Sequence, residues 1–559
     1  MNRYKRTKGK KIAAAAFLAL LMIGFVAYPL LHLIWSSFQG AQGEWTLRNY
    51  QTILRTDSTR RAIGNTLWLG ALSVLGTVAL GTWLALAMNY LKSTGEGVRR
   101  VLRVLFMAPF LIPGVILVLS FLQLFGEVGF LSALIRRATH GLFSPVLQGL
   151  PGILFVHVFT QYVYAYMNVS LALRSLDAGA VEAAKNLGAG RRAVFFDVLW
   201  PHIRPAVLAS ALLSFFAAIS SFSAPALLGG SYRVISTQVL QYKLNHKLPL
   251  ATSLVTLLLA LGILVILSHQ ALQQERLKSR SGRTTSLQRV PFQSKIARHL
   301  HRILLFSAAF FIALPVIAVG YLSFVPAKSL MMDLLPQGVT WANYQAVFSA
   351  PRVLAPLKNS LQMALWATAV SLGLAGSGAY LAARAPKKSA AFFRFVFLLP
   401  MAIPASTLGI VLITAFAQGT LFTFGQSLLG TWFLLPIAYV LQNISLVYQN
   451  ALTSLTGFNR ELSFASDLLG ARQRTTLLRI VGPAVAPGFL YGGVVCFLRS
   501  LGEYTVSSLL YGITNRPVSI AMVNALHDYD VGVSMVYGSI IIFLGAGVLI
   551  VLEARGRLP

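Results

Sequence analysis

Apolar residues in this chain gather into long unbroken runs, and polar residues cluster in the short stretches between them. A bilayer core of about 30 Å needs roughly 20 apolar residues per helix. Measured against that length, candidate spans fall near 13–35, 65–91, 102–125, 147–170, 205–229 and 247–268, then near 302–324, 359–383, 392–417, 430–450, 485–510 and 532–553. The fourth and tenth runs are the least uniform, because His157, Gln161 and Tyr164 interrupt one, and Gln442 and Asn443 the other. The pattern predicts an all-α, polytopic membrane protein with about 12 transmembrane helices.

Composition supports that class. Only 11% of the 559 residues are charged, against about 25% in soluble domains. The excess of 47 Lys and Arg over 15 Asp and Glu would suggest a nucleic-acid partner in a soluble protein. In a membrane protein, retention of cations in cytoplasmic loops explains it, and no nucleic acid is expected. The loop cations place a basic tail at 1–12 and a basic linker at 269–301 in the cytoplasm, together with a short tail at 554–559. Both termini are therefore expected inside, with the lipid bilayer as the main surrounding partner. The first run is longer than the apolar core of a signal peptide and lacks a small-residue cleavage pattern, so it reads as an uncleaved helix. Cys496 is the single cysteine and can close no intrachain disulfide.

The two halves, 13–268 and 302–553, repeat each other. Asn49-Tyr50 matches Asn343-Tyr344, and Asn65-Thr66-Leu67 matches Asn359-Ser360-Leu361. Pro109 and Pro113 match Pro400 and Pro404. Gly188, Ala189, Arg192, Pro201 and Pro205 pair without a gap with Gly470, Ala471, Arg474, Pro483 and Pro487. Six spans per half is an even number, so the repeats are predicted to run parallel. A proline inside an apolar span frees a carbonyl that lipid cannot satisfy. Its recurrence in both halves favours bent helices lining a path over incidental kinks.

The segment VEAAKNLGAGRRAVFFDVLWPHIRPAV resembles the EAA loop of ATP-binding-cassette (ABC) importer permeases of the type I fold. Glu182, Ala183, Ala184, Gly188 and Pro201 occupy that pattern within loop 181–207. The second loop, 463–489, carries Ala465, Gly470 and Pro483 in register, with Phe464 where Glu182 stands and Asp467 one turn away. The resemblance implies that both loops couple to two copies of a separate ABC ATPase subunit. It also implies an extracytoplasmic solute-binding protein and a location in the bacterial cytoplasmic (inner) membrane. No G-x-x-x-x-G-K-[ST], H-E-x-x-H, C-x-x-C or G-x-S-x-G occurs, so the chain is expected to be no enzyme and to bind no cofactor or metal. ATP would be used by the partner.

After each loop, SFSAPALLG at 221–229 and SLGEY at 500–504 are similar to segments of fused ferric-iron permeases. The resemblance makes ferric iron the leading solute, with thiamine, a polyamine or an organophosphonate as alternatives. Ser221, Ser223, Glu503, Tyr504, Gln161 and Asn443 are candidates for the translocation path. Glu503 and Arg499 lie four apart, which favours a structural pair on one helix face. A different class, an ion-driven secondary transporter, shares the twelve-span layout but has no use for paired docking loops.

Overall fold

The computed structural model describes residues 13, 15–40, 43–278, 289–292, 294–332, 336–459 and 461–554. The expected tail at 1–12, residues 555–559 of the expected tail at 554–559, and residues 279–288 and 293 of the expected linker lie outside the described residues. The fold is helical, and the strands among the described residues are two-residue segments, Leu91–Lys92 and Val290–Pro291, paired in parallel. Eight described helices are long and apolar enough to cross a membrane, or nine if one bent pair counts as a span.

The helices expected near 147–170 and 430–450 are present as Gly149–Arg174 and Leu434–Gly457. At 26 and 24 residues they are about 39 and 36 Å long. Their polar residues lower their hydropathy, and both are largely buried by neighbouring helices. The last run forms Val531–Ala554, apolar from Val531 to Gly547.

The spans expected at 102–125 and 392–417 are corrected to broken helices. Glu96–Leu111 stops at Ile112, and Gly114–Phe125 starts anew with Pro113 as its N-cap. In the second half Leu399–Ala402 narrows to a 3₁₀ turn, and Ala405–Phe416 departs at 104° with Pro404 as its N-cap. Proline cannot donate to the preceding turn, but at the cap of a new helix its missing N–H deprives that helix of no bond. The carbonyl three residues before the first proline gains a side-chain donor in both halves. Tyr162 Oη donates to Phe106 O at 2.8 Å, and Ser445 Oγ to Phe397 O at 2.8 Å.

Three π-helical stretches, Ile23–Ala27, Val194–Leu199 and Leu477–Val481, each end two residues before a proline: Pro29, Pro201 and Pro483. A widened turn accommodates the missing N–H without ending the helix.

The repeated dipeptides have the same work in each half. Tyr50 Oη bonds Ser37 Oγ at 2.7 Å, and Tyr344 Oη bonds Ser539 Oγ at 2.9 Å. Asn65 Nδ2 donates to Arg233 O and Asn359 Nδ2 to Arg516 O. Ile235 N donates to Thr66 Oγ1, and Val518 N to Ser360 Oγ, both at 2.8 Å.

Packing follows two compact units that exchange a span relative to chain order. One contains the described residues up to Tyr50, Lys247–Thr256 and everything from Ala342 on. There Phe25 lies 5.6 Å from Phe416, and Tyr28 lies 5.7 Å from Phe422. The other contains Gln51–His246 and Leu257–Trp341, so the Lys295–Leu322 helix packs against the first half's broken span. Ser120 Oγ donates to Pro315 O at 2.9 Å there.

The described end of the linker is clasped within this second unit. Val290 N donates to Tyr90 O at 2.9 Å, Arg302 Nε donates to Ser93 O, and Glu96 meets Arg289 at 2.9 Å and Arg99 at 3.4 Å. Glu96 is exposed, so these pairs are worth at most about 1 kcal/mol each. Replacing Glu96 with Lys faces Arg289 and Arg99 with a third cation. Trypsin cleavage after Arg289 should then rise about five-fold, measured by timed proteolysis and mass spectrometry, if local opening limits cleavage.

Candidate functional site

Two hairpins of matching build follow the two polar helices. In the first, Asp177 caps the Ala178–Asn186 helix by accepting from Gly179 N at 3.1 Å. The helix closes with Gly188 N donating to Lys185 O at 2.9 Å and Ala189 N to Ala184 O at 3.0 Å. In the second, the Glu461–Leu468 helix closes with Gly470 N on Asp467 O at 3.0 Å and Ala471 N on Ser466 O at 3.1 Å. This double bond is the Schellman turn, which needs a left-handed residue. Gly188 and Gly470 supply it, at φ +85° and +75°.

Beyond the glycine the chain turns into a long helical run, Arg191–Ile219 in one hairpin and Arg474–Leu501 in the other. The hairpin arms are fastened at equivalent positions by different chemistry. Val194 is buried, and Ala184 packs on the same apolar cluster. In the second hairpin Ser466 Oγ and Thr476 Oγ1 share a buried hydrogen bond of 2.9 Å.

Glu182 and Ala183 are exposed, as are Ala465 and Asp467, while Ala184 is half-buried. Phe464 is exposed at the place of Glu182. Leu187 and Leu469, which the motif pattern does not mark, precede the two glycines and are 89% and 87% exposed. Each hairpin thus presents an apolar tip on a rigid turn, with Lys185, Arg191 and Arg192 in the first, and Arg472 and Arg474 in the second.

Ser221, Ser223, Glu503 and Tyr504 lie just beyond the ends of the long runs, whereas Gln161 and Asn443 lie within the two polar helices. Ser221 and Glu503 occupy the same local backbone: Ser236 Oγ donates to Ser221 O at 2.7 Å, and Ser519 Oγ donates to Glu503 O. The expected pairing of Glu503 with Arg499 is corrected. The helix ends at Leu501, so the two no longer share a face, and Arg499 is exposed. The buried Glu503 carboxylate instead accepts from Val506 N and Ser507 N, both at 2.9 Å, and from Ser507 Oγ at 2.8 Å. Ser507 Oγ also bonds Tyr439 Oη at 2.7 Å. Glu503 therefore caps the short turn Ser507–Leu510.

Asn443 is fully buried, with Nδ2 donating to Tyr439 O at 3.0 Å and to Ser500 Oγ at 3.3 Å. Its counterpart Gln161 is buried, with Oε1 unpartnered among the described residues. One turn earlier His157 Nδ1 bonds Ser73 Oγ at 2.9 Å. His157 and Tyr439, Gln161 and Asn443, and Asn168 and Asn450 are equivalent in the gapless register that pairs the two glycines. That register was the available signal for Tyr439, which the sequence reading did not use. Ser223 lies beside Gly114, at the start of the helix after the first break. Tyr504 is half-buried beside Glu503. Among the described residues no three His, Cys, Asp or Glu side chains group as a metal site.

The family described as "binding-protein-dependent transport system inner membrane component" matches residues 77–278 and again 373–554. The chain is 29% identical over 515 residues to a probable ABC transporter permease protein, y4fN, of Sinorhizobium fredii, covering 91% of this chain and 90% of that one. It is 24% identical over 563 residues to the ferric transport system permease protein FbpB of Actinobacillus pleuropneumoniae, covering 98% and 79%. It is 30% identical over 209 residues to the putrescine transport system permease protein PotI of Escherichia coli, covering 35% and 69%.

A Cβ at Gly188 or Gly470 would meet open space, so substitution is opposed by backbone conformation alone. Val at either site should cost about 1–2 kcal/mol of hairpin order, and Asn less. Amide exchange across 178–190 and 461–472 should quicken in that order.

Removing the Glu503 carboxylate leaves Val506 and Ser507 N–H buried without it, at about 1–3 kcal/mol per group. Glu503→Ala should therefore lower thermal stability in detergent more than Glu503→Gln.

Proposed function

Because this chain belongs to the inner-membrane components of binding-protein-dependent transport systems, we propose that it is the transmembrane permease of a bacterial ABC importer, with both halves fused. Two copies of an ATPase subunit dock on the hairpins at Gly188 and Gly470, and an extracytoplasmic binding protein delivers the solute. Both termini lie in the cytoplasm. The single observation that carries this reading is the double hairpin. Each pairs a Schellman turn and an exposed leucine with a long helix that stops two residues before Ser221 or Glu503.

The mechanism follows from that continuity. A run of 29 residues, Arg191–Ile219, is about 43 Å long if helical throughout. Its π stretch keeps the rod unbroken past Pro201. Closure of the ATPase dimer moves the hairpins as levers, and the rods carry that motion to the polar positions at their far ends. Ser221, Ser223, Gln161, Asn443 and Tyr504 are the side chains we assign to the path. Glu503 serves it indirectly, by holding the turn at Ser507. The chain itself hydrolyses nothing and binds no cofactor; ATP is consumed by the partner.

Ferric iron is the solute this reading favours. Support comes from the ferric permeases, similar over nearly the whole chain, whereas the putrescine permease aligns with one half. Iron here is cargo, handed over by the binding protein.

The test is affinity purification from the native membrane combined with uptake of radioactive ferric iron. The wild-type chain should bring down a stoichiometric ATPase. The Gly188→Val, Gly470→Val double variant should keep its expression and lose at least about ten-fold in ATPase recovery and uptake, given the hairpin cost above. Uptake that survives ATP depletion but collapses with the ion gradient would establish a secondary transporter instead. ATP-driven uptake of putrescine or thiamine in place of iron would keep the importer and overturn the solute.

A further inference from the structure

The Lys295–Leu322 helix carries no acidic residue, yet Lys295, Arg298, His299 and Arg302 stand within its first eight positions. Glu96, whose backbone neighbour Ser93 meets Arg302, is already engaged with Arg289 and Arg99. Arg302 uses its Nε on Ser93 O, and its other N–H donors have no partner among the described residues. Arg298 Nε is buried without a partner among the described residues. Directly beyond this cationic rim lies a groove of about 460 Å³, lined by His299, Arg302, Ile303, Phe306, Ser307, Phe310 and Phe311. Phe306 and Phe310 are 47% and 59% exposed along it. A patch with cations at one end and aromatic walls at the other is complementary to a molecule with a phosphate head and a hydrocarbon tail.

We propose that this groove binds one anionic phospholipid, its phosphate held by Arg298, His299 and Arg302 and one acyl chain laid along Ile303, Phe306 and Phe310. Bulk lipid would cover the apolar wall equally well whatever its headgroup. The uncompensated charge at the rim is what selects an anionic one, each cation near a membrane surface contributing about five-fold in affinity. The clasp between the linker and Ser93 sets the rim in place, because the same Arg302 that meets the lipid is anchored through its Nε. The proposal rests on the helix spanning a membrane and not on the importer reading, so each can fail alone.

The test uses the full chain in nanodiscs and in detergent. Protein purified from vesicles of phosphatidylcholine with a minor share of phosphatidylglycerol should retain one phosphatidylglycerol through delipidating washes, counted by native mass spectrometry. Lys295→Gln with Arg298→Gln should weaken retention about 30-fold, and Ser307→Trp, which fills the groove, should abolish it. Monodispersity on size exclusion and unchanged trypsin resistance at Arg289 show that these variants fold. Equal retention of phosphatidylcholine, or retention unaffected in both variants, would overturn the proposal. So would thermal protection by inorganic phosphate alone that matches the lipid's.

Discussion

Within a bilayer the backbone has no solvent to fall back on, so each N–H and C=O must find a partner on the protein. The arrangement of this chain follows from how it meets that demand at its prolines. Beside Pro109 and Pro400, Tyr162 and Ser445 reach across from a neighbouring helix to Phe106 O and Phe397 O, one residue past the carbonyls that those prolines leave without a backbone donor. Where Pro113 and Pro404 follow, the helix ends and a second begins with proline at its cap. Where Pro201 and Pro483 must sit inside a continuous rod, the preceding turn widens to π. The same residue type thus makes a corner in one span and spares the rod in another.

That demand also explains why the polar helices Gly149–Arg174 and Leu434–Gly457 lie buried among the others. They carry the donors that broken neighbours need, and such groups are costly against lipid. Their polarity, which weakens them as spans by hydropathy, is the reason for their central position. Glu503 is a further instance. A carboxylate away from water is expensive unless it accepts several hydrogen bonds, and here it accepts from two backbone amides and a serine hydroxyl.

Much of this was legible in the sequence, for identifiable reasons. Apolar runs report spans because lipid tolerates little else, and the paired glycines report hairpins because only a left-handed residue closes a Schellman turn. Other features were not legible. A proline in an apolar run is compatible with a kink, a break or a π turn, and nothing within the run distinguishes them. The spacing of Arg499 and Glu503 suggests a pair only if the helix continues, and it stops at Leu501. The exchange of spans between packing units left no trace in hydropathy, since Phe25 and Phe416 look the same facing lipid or each other.

The two halves keep one backbone plan while their polar chemistry diverges. Tyr439, Ser507 and Glu503 form a connected buried network. The corresponding His157 turns to Ser73 on another helix, and Ser221 offers no carboxylate. The hairpins differ likewise, with Glu182 against Phe464 and an apolar fastening against the Ser466–Thr476 hydrogen bond. The shared elements are those that set backbone direction: glycine at the turn, proline at the rod and at the break, asparagine at the helix start. The divergent ones are side chains whose job is local. A repeat under that division keeps its backbone corners equivalent and leaves the polar side chains of each half free to diverge.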